Sequence, residues 1–118
     1  MNLIDTDIIV ELLQRKKYET GAVSIITLIE VLRGLDAKKR VRVKELIEEG
    51  FHVQNIDNQI LETYCNLYQK LRKEGVSLPD ADLIVAATAI SRDMMLKTRD
   101  KHFERLAEYG LKLAQRTT

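Results

Sequence analysis

Leu3-Ile4-Asp5-Thr6-Asp7 is an apolar run that stops at a carboxylate, and Leu96-Lys97-Thr98-Arg99-Asp100, near the other end of the chain, has the same layout. Read as two strands of one parallel sheet, these segments put Asp5 and Asp100 at its carboxyl edge, where open α/β folds place their ligands. Two aspartates brought together over the length of the chain point to an acidic, metal-dependent site.

Working outward, Ile8, Ile9, Leu12 and Leu13 have helical spacing that ends in a basic turn near Lys16. Ser24 is placed to cap a second helix with the stripe Ile25, Leu28, Ile29, Leu32 and a stop at Gly34. A third helix is expected from about Ala37 to Glu49, with Val43, Leu46 and Ile47 inward and Gly50 as terminator, and Phe51 to Ile56 reads as a strand. Asp57 suits the cap of a fourth helix, with Ile56 and Leu61 as a hydrophobic staple and Leu61, Tyr64, Tyr68 and Leu71 on the buried face down to Gly75. After Pro79, the stretch from Ala81 to Arg92 is apolar nearly all round, which predicts a helix packed on several sides. Met94 to Thr98 reads as a third strand, His102 to Tyr109 as a short helix and Leu111 to Ala114 as a candidate final strand. Strands separated by helices pair in parallel through right-handed crossovers. The expectation is an α/β fold, a three-layer α/β/α sandwich with a short central parallel sheet.

With 118 residues, 45% hydrophobic and 31% charged, the chain is expected to form a single domain over residues 1–118, neither disordered nor membrane-spanning. Cys65 alone makes no intramolecular disulfide, and His52 and His102 beside it do not assemble a thiolate-rich zinc site. Asp5 and Asp7 interrupt the only N-terminal apolar stretch, so a cytoplasmic location is expected. With a net charge of +1, a broad basic surface is not expected. Nucleic-acid contact would fall to local clusters: Arg15-Lys16-Lys17, Lys38-Lys39-Arg40 with Arg42 and Lys44, or Lys70 with Arg72 and Lys73. Taken alone, each such run reads as a solvated helix face.

Asp82 has the least ordinary setting, in the first turn of the all-apolar helix, where the dipole favours a carboxylate that packed surface crowds. Capping explains either Asp80 or Asp82, but not both. Ala86 and Ala89 follow Asp82 on one side and let that side approach another element closely, bringing Asp82 toward a sheet edge. Glu30 lies off the Ile25, Leu28, Leu32 stripe, so periodicity reads it as a solvated glutamate. Asp7 also reads as a helix N-terminal carboxylate, and Thr98 as a hydroxyl that orders the turn before Asp100.

Four segments in order resemble the PIN domain family, and within it the toxin ribonucleases of toxin–antitoxin pairs. They are Leu3-Ile4-Asp5-Thr6-Asp7; Ser24-Ile25-Ile26-Thr27-Leu28-Ile29-Glu30 with Gly34; Asp82-Leu83-Ile84-Val85-Ala86-Ala87-Thr88-Ala89; and Thr98-Arg99-Asp100-Lys101-His102-Phe103. The resemblance implies a Mg²⁺- or Mn²⁺-dependent RNA endonuclease with Asp5, Glu30, Asp82 and Asp100 as its acidic quartet, and it reverses the reading of Glu30. Asp5, Asp82 and Asp100 would then hold the metal, Glu30 would orient or deprotonate water, and Thr6, Thr98 and Arg99 would support them. The resemblance also implies a cognate antitoxin and a homodimer. Asp7, where asparagine or serine is frequent in the family, and Asp93, where glycine is common, depart from its pattern.

Two other classes compete. Asp5-Thr6-Asp7 after an apolar strand also resembles the nucleophile motif of haloacid-dehalogenase-type phosphatases, although Ile9 stands where that motif has threonine or valine. A phosphoacceptor signalling domain would use an aspartate after the middle strand, a place Asp57 matches superficially. An inactive PIN-like binding module is disfavoured by the complete quartet.

Overall fold

Four short strands, β1 (Asn2–Ile4), β2 (Gly21–Ser24), β3 (His52–Gln54) and β4 (Met95–Lys97), all pair in parallel in the order β3-β2-β1-β4. They belong to a computed structural model that describes residues 1–115. Between the strands run α1 (Thr6–Gln14), α2 (Ile25–Leu32), α3 (Ala37–Gly50), α4 (Asn58–Lys73) and α5 (Asp80–Ser91), and a 3₁₀ segment, Lys101–Tyr109, follows β4.

Strand alternation divides the core into two halves. Leu3, Ala22 and Leu96 face one side, where they pack with Ile60, Leu67 and Leu71 of α4, with α5 and with Phe103 and Leu106 of the 3₁₀ segment. Ile4 and Val23 face the other, with Ile8 and Ile9 of α1, Leu28 of α2, Ile47 of α3 and Phe51. The result is the three-layer α/β/α arrangement that alternating strands and helices require. Each fully buried Leu, Ile or Phe in these layers contributes roughly 1.5–3 kcal/mol. α5 packs against α4, α2, β4 and the 3₁₀ segment, which is why Leu83 and Val85 to Ala89 are all buried and the helix lacks a polar face.

Several elements differ from the sequence expectation. β2 is absent from the sequence pattern: it has four residues, begins with glycine and runs straight into α2, with Ser24 both ending the strand and accepting from the Ile26 amide at 3.1 Å. A Cβ on Gly21 would lie 2.6 Å from Ile4 Cδ1 and 3.0 Å from the Asn2 carbonyl, so glycine is what lets β2 approach β1. Leu111 to Ala114 forms one parallel bridge, Leu96 with Leu113, instead of a strand. The bridge consists of the Leu96 amide donating to Lys112 O at 2.8 Å and the Ala114 amide donating to Leu96 O at 2.9 Å.

The buried face of α4 is Ile60, Leu67 and Leu71. Tyr64 is half-buried, whereas Leu61 and Tyr68 are exposed, and Ile56 with Leu61 buries no staple. Asp57 nevertheless caps α4 through the Ile60 amide at 3.0 Å. On α3, Ile47 is buried but Leu46 is exposed. On α2 the buried residues are Thr27 and Leu28, and Ile29 faces out at 51% exposure. That rotation turns Glu30 toward α1.

The order β3-β2-β1-β4 reverses direction at β1. The chain first adds strands on one side of β1, then crosses to place β4 on the other, and ligands of open α/β sheets collect at such switch points. Asp5 stands there, its amide donating to Lys97 O at 3.0 Å as the last rung between β1 and β4.

Candidate active site

Asp5 leaves β1 in an extended conformation, at the N-cap of α1. Its Oδ1 accepts from the Thr6 amide at 2.9 Å and its Oδ2 from the Thr98 hydroxyl at 2.7 Å. Thr98, buried after β4, also accepts from the Asp100 amide at 3.0 Å. One hydroxyl thus fixes the carboxylate at the end of β1 and the turn that carries Asp100. Asp100 spends its Oδ1 on His102, whose amide lies at 2.9 Å and whose Nδ1 lies at 2.8 Å, and caps the 3₁₀ segment.

Glu30 enters from α2. The Thr6 hydroxyl donates to Glu30 Oε1 at 3.0 Å and lies 3.5 Å from the hydroxyl of Thr27, which is buried one turn before Glu30. A hydroxyl has a single proton, and a carboxylate only accepts. Thr6 therefore gives its proton to Glu30, and Thr27 supplies the proton in the contact between the two threonines. Thr6 links the two acids, its amide on Asp5 and its hydroxyl on Glu30.

Asp82 comes from the first turn of α5. No side chain caps that helix, whose N-cap is Pro79, and Asp80 accepts from the Tyr64 hydroxyl at 2.5 Å, so capping accounts for neither aspartate. That bond pushes the Tyr64 hydroxyl up to about 12. Burial raises the Asp82 carboxyl above its ordinary range, and the negative charges of Asp100, Asp5 and Glu30 push it the same way against a smaller opposing effect of His102. The four carboxylates therefore share one field. At an effective dielectric near 20, two unit charges about 4 Å apart repel by roughly 4 kcal/mol, and a divalent cation relieves that repulsion.

Lys97 and Arg99, the cations on either side of Thr98, are turned to Glu19 and Glu11. Arg99 thus stands beside the cluster with its guanidinium engaged elsewhere, unlike Thr6 and Thr98. Asp7 is exposed on α1. Among the described residues, no three His, Cys, Asp or Glu side chains close on one point tightly enough to hold an ion unaided. An oxygen-only set that leaves room for water suits a hard cation that keeps part of its hydration shell.

Thr27 and Glu11 were not singled out from the sequence. Thr27 carried one visible signal, a polar residue at helical spacing from Glu30 on a short apolar helix. Glu11 looks like any helix-surface glutamate until the fold brings Arg99 beside it.

The sequence pattern of the PIN domain family matches residues 3–109. Ribonuclease VapC1 of Methanocaldococcus jannaschii is 37% identical over 115 residues, which span 94% of this chain and 85% of the relative. Among solved structures, VapBC-1 from nontypeable Haemophilus influenzae superposes with a TM-score of 0.81 at 24% identity, over 97% of this chain and 96% of that one. DNA-bound VapBC from Salmonella typhimurium gives a TM-score of 0.80 at 21% identity, over 97% and 98%. The family pattern runs from β1 to the end of the 3₁₀ segment and so takes in all four acidic positions; the chain belongs to the PIN domain family.

Proposed function

We propose that this protein is an endoribonuclease that hydrolyses RNA phosphodiester bonds with a divalent cation, Mg²⁺ or Mn²⁺, and that it is the toxin of a toxin–antitoxin pair. The observation that carries this reading is the linkage, at the sheet's switch point, of Asp5 to the Asp100 turn through Thr98 and to Glu30 through Thr6, with Asp82 close enough for their charges to raise its carboxyl and Lys97 and Arg99 diverted to other carboxylates. Family membership and the likeness to a ribonuclease support it. The VapBC neighbours support a cognate antitoxin as partner. We place the protein in the cytoplasm with its RNA, and among the described residues no helix is long and apolar enough to cross a membrane. We also expect a homodimer, for which Ile56, Leu61 and Tyr68 supply exposed apolar surface.

Asp5, Asp82 and Asp100 would hold the cation, directly or through water. When bound, it supplies Lewis acidity, lowering the pKa of a coordinated water and offsetting charge on the scissile phosphate. Glu30 has Oε1 committed to Thr6 and so uses Oε2 to orient the attacking water and take its proton. Thr98 holds Asp5 and the Asp100 turn in register.

The competing classes lose their key contacts. Asp7 is exposed and gives an aspartyl-phosphate mechanism no second carboxylate beside Asp5. Asp57 follows an edge strand, caps α4 and pairs with Arg92 at 2.5 Å instead of joining an acidic pocket.

Cleavage of a pool of cellular RNAs tests the reading. Mg²⁺ or Mn²⁺ should support cleavage and excess chelator should stop it, with activity returning when the metal is restored. Cleavage that persists in chelator excludes the metal mechanism. Thr27→Val should lower kcat about five- to tenfold, the worth of one hydrogen bond of about 1 kcal/mol, and leave KM for RNA unchanged, while Thr27→Ser retains the rate. A valine variant with wild-type kcat removes Thr27 from the chain that orders Glu30.

A further inference from the structure

The three basic clusters of the sequence fold to different places. Lys38 and Arg42 border a hollow on α3, and Arg72 borders one beside α4; neither hollow includes a residue of the acidic cluster. The end of α1 is different. A groove of about 560 Å³ runs between α1 and the segment after β4, with Glu11, Arg15, Lys17, Lys97, Thr98 and Arg99 in its lining. Thr98 belongs both to this groove and to the acid site, since its hydroxyl donates to Asp5.

Charge in the groove is arranged around Glu11. Arg15 pairs with Glu11 Oε1 at 3.2 Å and Arg99 with Oε2. The hydrogen bond from Arg99, with the nearby charges of Arg99, Arg15 and Lys17, holds the Glu11 carboxyl below its ordinary range. Three cations thus bear on one carboxylate. Arg15 is 63% and Arg99 57% exposed, so both side chains line the groove in contact with solvent while Glu11 restrains them. Lys97 is matched by Glu19. On a chain of net charge +1, this surplus is a local feature.

We infer that this groove carries the RNA strand where it leaves the acid site, with Arg15, Lys17 and Arg99 binding the phosphates next to the scissile one and Glu11 fixing the two arginines. The inference rests on the ribonuclease reading and adds the path of the substrate to it. An RNA strand fits better than an acidic protein segment because the groove is continuous with the acid site through Thr98. A strand with one phosphate at Asp5 has its next phosphates at that opening, and guanidinium forks match phosphate oxygens. Such contacts position the strand without reading its bases.

The test is titration of a fluorescein-labelled single-stranded oligoribonucleotide of mixed sequence into the full chain in EDTA, across roughly 0.05–0.2 M KCl. The double variant Arg15→Gln/Lys17→Gln should bind roughly tenfold or more weakly near 0.1 M salt, with a log–log salt slope shallower by about 1.4, two single-strand phosphate contacts at about 0.7 each. The comparison variant Lys38→Gln/Lys39→Gln/Arg42→Gln should keep wild-type affinity. Unchanged affinity in the first variant, or equal loss in the second, overturns the proposal. So does a first variant that keeps its RNA affinity but loses binding to polyglutamate, which hands the groove to an acidic protein segment. Cleavage assays on the same proteins separate the two levels. A wild type that neither binds nor cleaves RNA refutes the ribonuclease reading itself. A wild type that binds and cleaves, matched by the groove variant in both, refutes only the groove.

Discussion

Asp5→Asn should abolish RNA cleavage, by about a thousandfold or more, in a protein that still folds. Asp5 is the carboxylate to which two of the others are tied: Thr98 connects it to the Asp100 turn and Thr6 to Glu30. Asparagine keeps the size and one acceptor oxygen, so one of the two bonds can persist, but it removes the charge that would help to hold the proposed cation. The backbone rung from the Asp5 amide to Lys97 O is untouched, as are the flanking Ile4 and Ile8 in the core. Single-turnover cleavage of a labelled RNA measures the loss, and a circular-dichroism melt checks the fold. Wild-type cleavage by a folded Asp5→Asn protein removes the catalytic assignment.

The parts of this architecture that were legible in the sequence are those where apolar residues mark both the element and its burial. β1 and β4 are short runs that stop at Asp5 and before Asp100, and α5 is apolar all round because it is packed on several sides. What stayed hidden depends on contacts between elements. β2 is too short to show alternation, and its glycine, which ordinarily argues against a strand, serves the close approach to β1. Periodicity placed Glu30 in solvent because it weighs Ile25 and Ile29 as core. The fold instead buries Thr27 and leaves Ile29 exposed, since that face of α2 meets the Thr6 hydroxyl. A hydrophobic stripe cannot register a polar contact supplied by another helix. For Glu30 the family resemblance carried what the local pattern could not, and for Thr27 the one signal in the pattern, a polar residue at helical spacing from Glu30, does not by itself separate it from any other helix threonine.

Asp82→Asn should move stability and activity in opposite directions. Asp82 is partly buried and faces three other acids, so its raised pKa means that the native state binds this proton more tightly than the unfolded chain does. Sign follows from that: without metal, stability falls as pH rises from the ordinary aspartate range through the raised value, and protonation or a cation restores it. Asparagine fixes the neutral form at nearly the same volume. Removing the repulsion should raise the Tm of the metal-free protein by a few degrees. The metal-free variant should therefore melt above the metal-free wild type, and its advantage should shrink as pH is lowered toward 4. Mg²⁺ should raise the Tm of the wild type and barely move that of the variant, whose cleavage should fall by about a hundredfold or more. Melting curves with Mg²⁺ and with EDTA across this pH range distinguish a strained metal site from an ordinary helix-start aspartate. In the latter case Asp82→Asn loses stability, because a carboxylate favoured by the dipole of α5 has been neutralised, and Asp82 then leaves the metal site.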